Sequence, residues 1–320
     1  MEFNGKKILP LESDEAVAAR QEALDSLLAF IEKLEKEGKE NQLNSRGSYP
    51  EKYGLPLIEA DKYKCDPKPS MYVMHEDDMG KVLRVKLQIV EGLYGEGMLF
   101  LPKDYAPTDK RPLILSLHGG SGTPEMASEG WELSSNYSAQ TRRVLDKGAI
   151  VFAPFMIVGS SPHLYQKLKY DEVELDHRLE RYGWSRLALG VTFMMRAIDC
   201  FTAFPGVDPE KVGMIGMSWG SRFSVLTAEF DERVKRVYGS CYLEFGEEAA
   251  RICPRYMVIE EGMWDFALTP HMVAELPKLY DGYMKARATD KLRINFHGGD
   301  HMLDKDNRML DWLFDPFFED

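Results

Sequence analysis

The sequence predicts an α/β fold: a mostly parallel, twisted central sheet with helices on both faces, preceded by an N-terminal helical arm. Three observations predict it. The apolar runs at 113–117, 149–154 and 212–215 are too short for helices and lack a polar face, as strands buried on both sides do. Stretches of helical periodicity separate the later strands. Ahead of them, Leu83, Val85, Leu87 and Ile89 alternate with Arg84, Lys86 and Gln88, the pattern of a half-buried strand, so the sheet opens antiparallel.

At 320 residues, with 44% apolar and 29% charged side chains, the chain can bury a large core. Its formal net charge of −12 opposes nucleic acid and anionic membrane as partners. Cys65, Cys200, Cys241 and Cys253 are scattered without a C-x-x-C pair and read as reduced, mostly buried thiols. The N-terminal residues lack the apolar core of a signal peptide, and no apolar run approaches the ~20 residues of a membrane span. A cytoplasmic location is therefore expected. No metal-ligand spacing and no dinucleotide fingerprint appears, so neither metal nor cofactor is expected.

Residues 13–37 are expected to form a helix. Ser13 can cap it, Asp14 and Glu15 suit its N-terminal dipole, and Gly38 ends it. Leu24, Leu27, Leu28, Ile31 and Leu34 make one apolar stripe opposite the charged face of Glu32, Lys33, Glu35 and Lys36. The helix reads as packed on the body of the protein, with a homo-oligomer contact as the alternative. Residues 39–70, rich in Gly, Pro, Asn and Lys, read as a long ordered loop. The division expected is an arm at 1–70 and a catalytic domain at 71–320. The strand at 83–89 turns at 92–95 and returns at 97–102 as a hairpin. Strands follow at 113–117 and 149–154, then a helix at 185–203 and the strand at 212–215. Further strands lie at 234–243, 256–259 and 292–296, with helices at 271–287 and 304–314.

The strand at 212–215 runs into Gly216-Met217-Ser218-Trp219-Gly220, a G-x-S-x-G turn. Phe223, Val225, Leu226 and Ala228 follow at helical spacing. A nucleophilic serine needs that context, because glycines without Cβ let the chain close around a strained Ser218. The Trp219 N–H, at the helix start, can then stabilise an oxyanion. His118-Gly119-Gly120-Ser121-Gly122 follows the strand at 113–117. Gly120 is the expected second oxyanion donor and His118 a structural residue. Asp265, past a glycine turn at a strand end, is the expected acid, with Glu260 and Glu261 as alternatives. His301, past Gly298-Gly299, is the expected base, with His297 in reserve. The chain order Ser218, Asp265, His301 fits a serine triad on an α/β sheet.

These residues carry a resemblance. His118-Gly-Gly, the run from Pro205 to Gly220, Cys253-Pro-Arg255 leading to Glu261-Gly-Met-Trp-Asp265, and Phe296-His-Gly-Gly-Asp-His301 make residues 80–320 resemble an α/β-hydrolase of the dienelactone-hydrolase-like, acetyl-xylan-esterase-like branch. The resemblance implies a carboxylic ester hydrolase, often acting on acetyl groups of carbohydrates. The chain departs from that pattern at Ser221, at Asp300 before His301, and over the first seventy residues. The stretch from Glu244 to Pro254 is too short for a lid domain. The segment 155–184, with Tyr165, Tyr170, Tyr182 and Trp184, is the candidate roof over the site, a packed surface loop being the alternative. The expected partner is a small-molecule ester turned over through an acyl-enzyme. A peptidase or amidase with the same triad and an inactive binding protein on the same fold are the competing readings.

Overall fold

The computed structural model describes residues 2–3, 6–7, 13–46, 48–55, 68–78, 80–128, 136–159, 166–242 and 246–319. The elements begin with β1 (Glu2–Phe3), β2 (Lys6–Lys7), α1 (Asp14–Glu37), α2 (Tyr49–Tyr53), β3 (Ser70–Asp77), β4 (Gly80–Val90) and β5 (Leu93–Pro102). They continue with β6 (Arg111–Leu117), α3 (Pro124–Ala127), α4 (Gln140–Asp146), β7 (Ile150–Pro154), α5 (Glu172–Glu180), α6 (Arg186–Phe201) and β8 (Val207–Met217). The last are α7 (Trp219–Phe230), β9 (Val234–Ser240), α8 (Gly246–Arg251), β10 (Tyr256–Gly262), α9 (Pro270–Lys285), β11 (Leu292–His297) and α10 (Arg308–Phe314).

β1 and β2 pair with each other, and the other nine strands form one sheet in the order β11-β10-β9-β8-β6-β7-β5-β4-β3. From β7 to β11 neighbouring strands run parallel, and from β3 to β5, and between β5 and β7, they run antiparallel. The central strands are buried on both faces. Leu113, Leu115, Ile150, Phe152, Val212 and Met214 join one apolar cluster with α1, α6, α7 and α9. Ile114, Val151, Ile215, Tyr238 and Val258 join another with α4 and α10. Two-sided burial is why these strands read as unbroken apolar runs.

β6 has β7 on one side and β8 on the other, so the chain reverses its direction of travel across the sheet there. A crevice opens outside the carboxyl ends of strands at such a point, and ligands bind in it. Leu117 of β6 pairs with Gly216 of β8, which brings the two glycine-bearing turns level.

α1 has the expected ends. Ser13 Oγ accepts from the Ala16 N–H, and Gly38 closes the helix in the left-handed region at φ 64°. Its Leu24, Leu27, Phe30 and Ile31 are buried against β5 and its neighbours. Arg84 departs from its expected outward place. It is 3% exposed and donates to Glu96 at 3.0 Å and to Glu125 at 2.9 Å, while Arg20 of α1 reaches Glu125 at 3.3 Å. Burial pushes the Glu96 carboxyl up to about 7 against the pull of Arg84. β3 was not expected. Tyr72 and Val73 are both exposed there, so the strand shows no contrast between its faces. The β4–β5 turn is shorter than 92–95, because Leu93 and Gly95 are already buried strand residues.

Candidate active site

Ser218 lies between β8 and α7 with φ 56° and ψ −123°, a region side chains rarely occupy. Both glycines of the turn are required. A Cβ on Gly216 would meet Gly220 O at 2.2 Å, and one on Gly220 would meet Leu117 O at 2.3 Å. The Ser218 N–H donates to Ser240 O of β9 at 2.7 Å and ties the turn to the sheet. Strain of this kind costs on the order of 1–3 kcal/mol and persists where surrounding contacts overdetermine it.

The loop after β6 runs alongside. A Cβ on Gly119 would meet Ser218 Cβ at 3.1 Å, and one on Gly120 would meet Trp219 Cδ1 at 2.9 Å. Gly119 N–H donates to Tyr137 Oη at 2.8 Å, Ser121 N–H to Val158 O at 2.8 Å, and Gly122 N–H to Gly119 O at 3.2 Å. Among the described residues the Gly120 N–H has no such acceptor. Like the Trp219 N–H in the first turn of α7, it remains available to an anion beside Ser218. His118 braces this loop. Its Nε2 accepts from the Met156 N–H at 2.9 Å, so its proton sits on Nδ1 and goes to Gly119 O at 2.7 Å. Burial holds its pKa down to about 4, so it stays neutral. Buried Gln166 is a second brace, with Nε2 donating to Gly122 O at 3.1 Å and Val158 O at 3.1 Å.

Asp265 follows β10 and His301 follows β11. His301 Nδ1 and Asp265 Oδ2 are 2.7 Å apart, and the Ala267 N–H donates to Asp265 Oδ1 at 2.7 Å. A carboxylate at Nδ1 keeps the proton there and leaves Nε2 as a base. The two turns can touch because Gly262 has no side chain; a Cβ there would meet Asp300 O at 2.0 Å. Beyond His301, Leu303 N–H donates to Asn136 O at 2.8 Å and Ser138 Oγ donates to Leu303 O at 2.7 Å. Ser218, Trp219, Gly120 and His301 line one cavity of about 400 Å³, with Asp265 buried behind His301. Among the described residues no hydrogen bond joins Ser218 Oγ to His301. Such bonds often form only once substrate is bound.

The alternative acids stand elsewhere. Glu260 accepts from Tyr238, from Ser240 Oγ at 3.0 Å, from Asn295 Nδ2 at 3.2 Å and from Asp304 N–H at 2.9 Å. Its two oxygens are taken up by these donors, one of them in the loop that follows His301. Glu261 is 1% exposed, and burial, with Asp265 nearby, pushes its carboxyl up to about 8. A neutral carboxyl cannot orient an imidazole as a carboxylate does. His297 bonds the Gly299 N–H at 3.1 Å and does not line the cavity.

Of the two readings of 155–184, roof or packed loop, Tyr170, Tyr182 and Trp184 follow the packed one. Tyr182 and Trp184 are buried, and Trp184 packs edge-on against Phe30 of α1 with ring centroids 5.1 Å apart. Tyr170 donates to Gln166 Oε1 at 2.8 Å. These rings serve the core, and Tyr165 lies outside the described residues. From this segment Gly159 and Glu172 face the cavity. Sequence reasoning also missed Tyr137, Cys241, Tyr242, Phe266 and Met272 as walls, since they arrive from loops and helix starts without a motif. Cys241 Sγ, Asp265 and His301 each place one ligand atom within 4.8 Å of the others. Burial pushes the Cys241 thiol up, so it stays protonated, and the other two are bonded to each other. That set suits proton transfer better than a metal.

The sheet order and the strained serine turn between β8 and α7 are those of an α/β-hydrolase fold. Residues 126–250, less than half of the chain, match the dienelactone hydrolase family model. Solved structures share the fold at low identity. A Bacteroides fragilis protein assigned as an acetyl xylan esterase has a TM-score of 0.62 at 13% identity, covering 81% of this chain and 79% of that one. Acetyl xylan esterase 1 from Thermoanaerobacterium sp. has a TM-score of 0.55 at 15% identity, covering 88% and 96%. A glucuronoyl esterase from Solibacter usitatus has a TM-score of 0.55 at 15% identity, covering 83% and 91%. A curated relative, peptide chain release factor 1 from Levilactobacillus brevis, is 30% identical over 162 residues, 47% of this chain. The chain spans 39% of that protein's length, and no site argument rests on it. No helix among the described residues is long and apolar enough to cross a membrane.

Proposed function

We propose that this protein is a serine ester hydrolase that works through an acyl-enzyme on short-acyl esters, with carbohydrate esters as the substrate class. One observation carries the reading: a strained Ser218 shares its cavity with His301, whose far nitrogen is held by buried Asp265 at 2.7 Å. In this mechanism His301 Nε2 takes the Ser218 proton as Oγ attacks the ester carbonyl. The Gly120 and Trp219 N–H groups receive the oxyanion, and Asp265 stabilises the imidazolium. His301 then protonates the departing alcohol, and water, deprotonated by the same nitrogen, releases the acid. Esterases acting on acetylated xylan and on glucuronoyl esters among the structural neighbours support the carbohydrate reading.

The test is turnover of p-nitrophenyl acetate and an acetylated xylo-oligosaccharide by the wild-type protein and by Ser218→Ala. The variant is expected to lose about 10⁴-fold or more in kcat while keeping its fold. Near-native turnover by folded Ser218→Ala would remove the serine mechanism.

A further inference from the structure

The turn that carries Asp265 also carries apolar side chains in an unusual place. Trp264 is 77% exposed and Phe266 is 85% exposed, on either side of a buried carboxylate. Large apolar side chains left in water beside a cavity ask for an explanation that scattered ones do not. The core does not need them. Trp184 is buried, and Trp219 and Trp312 pack against the apolar clusters. The backbone beneath the exposed rings is fixed: Trp264 N–H donates to Gly299 O at 3.0 Å, and Met263 N–H to His297 O at 2.9 Å. The rings are therefore presented from a rigid frame.

Phe266 joins this turn to the cavity, with Trp264 two residues before it in the chain. Phe266 lines the cavity and lies against His301, ring centroids 4.9 Å apart. In an ester bound for attack, the acyl group enters beside Ser218 and the alcohol group, protonated by His301, must leave past that ring. We propose that Trp264 and Phe266 form a stacking platform for the alcohol half of the substrate, a neutral pyranose of an oligosaccharide. The C–H face of a pyranose packs on an aromatic face, and hydroxyls at its edge need polar partners. Glu172 and Tyr242 supply these on the cavity wall. The net charge of −12 selects against an anionic sugar.

The substrate half rests on the esterase reading, and two measurements separate them. Unesterified xylohexaose is titrated calorimetrically into wild-type protein, Trp264→Ala, Trp264→Phe and Phe266→Ala. The same proteins are assayed on acetylated xylo-oligosaccharide and on p-nitrophenyl acetate. Trp264→Ala is expected to lose measurable xylohexaose binding and to raise KM for the oligosaccharide about tenfold or more, with kcat within about twofold. Trp264→Phe should retain most of both. Equal KM on the oligosaccharide for wild type and Trp264→Ala, with wild-type turnover intact, overturns the platform and leaves the esterase. Trp264-dependent binding without turnover of either ester overturns the esterase and leaves the platform. Sedimentation showing a dimer that Trp264→Ala dissociates would also overturn the platform.

Discussion

Three carboxylates within six residues show what burial decides. Asp265 is bonded to a histidine and a backbone N–H, Glu260 has four donors, and buried Glu261 is paired with no side chain among the described residues. The sequence presents Glu260, Glu261 and Asp265 as equivalent acids at a strand end; only the glycine turn favours the last. Which face of β10 each glutamate takes is invisible until the neighbours of the strand are known. Asp265→Asn is expected to lower kcat about 10⁴-fold on p-nitrophenyl acetate. Glu261→Gln should leave kcat within a few-fold and change stability instead. The Glu261 pKa is raised in the folded protein from 4.5 to about 8, so the folded state binds the extra proton between those values. Stability from this group is therefore lost as pH rises from about 4.5 towards 8. Glutamine cannot ionise, so Glu261→Gln should melt roughly 2–4 °C above wild type at pH 8.5, and the gap should close by pH 5. Thermal denaturation at the two pH values checks this. A gap that is larger at pH 5 would contradict the assignment.

At the scale of elements, the helix at 13–37 and the strands of the parallel sheet are legible because capping, periodicity and two-sided burial leave local marks. The serine turn is legible for a different reason. Gly216 and Gly220 stand where a Cβ would strike backbone atoms, so the motif is itself a record of the packing. Features set by distant partners are not legible. The alternation in β4 places Arg84 outside, yet it is buried with Glu96, Glu125 and Arg20 from β5, α3 and α1. The aromatic residues of 155–184 suggest a roof and are used against α1. Arg20 ties α1 to the region of the oxyanion loop, since its Nε also donates to Gln166 O at 3.0 Å and Gln166 holds Gly122. Arg20→Ala leaves Glu125 buried with one cation fewer. It should cost about 3 kcal/mol, the lower part of the range for breaking a buried ion pair. The measurement is the urea midpoint; an unchanged midpoint would mean that α1 is held by its leucines alone.

For the whole molecule, the fold was readable from the chain, as was the gathering of Ser218 and His301 at one cavity with Asp265 behind, because these residues stand at strand ends beside glycines. The walls of the cavity were not, because Phe266, Met272, Tyr137 and Glu172 come from four separate segments. Their cavity of about 400 Å³ is near the lower end for ligand sites, and its apolar walls, among them Tyr137, Met217, Trp219, Phe266 and Met272, are interrupted by Asn136, Glu172, Ser218 and His301. Added methylenes gain at most about 0.8 kcal/mol each when fully buried, and this cavity has little wall to bury them. Across a p-nitrophenyl ester series, kcat/KM should be highest for acetate or propionate and fall by octanoate; a steady rise to octanoate would point to an extended acyl groove. The central claim is that Ser218 is an activated nucleophile, and active-site labelling tests it most directly. A fluorophosphonate should add to the wild-type protein at one site, the peptide bearing Ser218, and His301→Ala should slow labelling by orders of magnitude. Labelling elsewhere in the chain, or none in folded wild-type protein, would contradict the account.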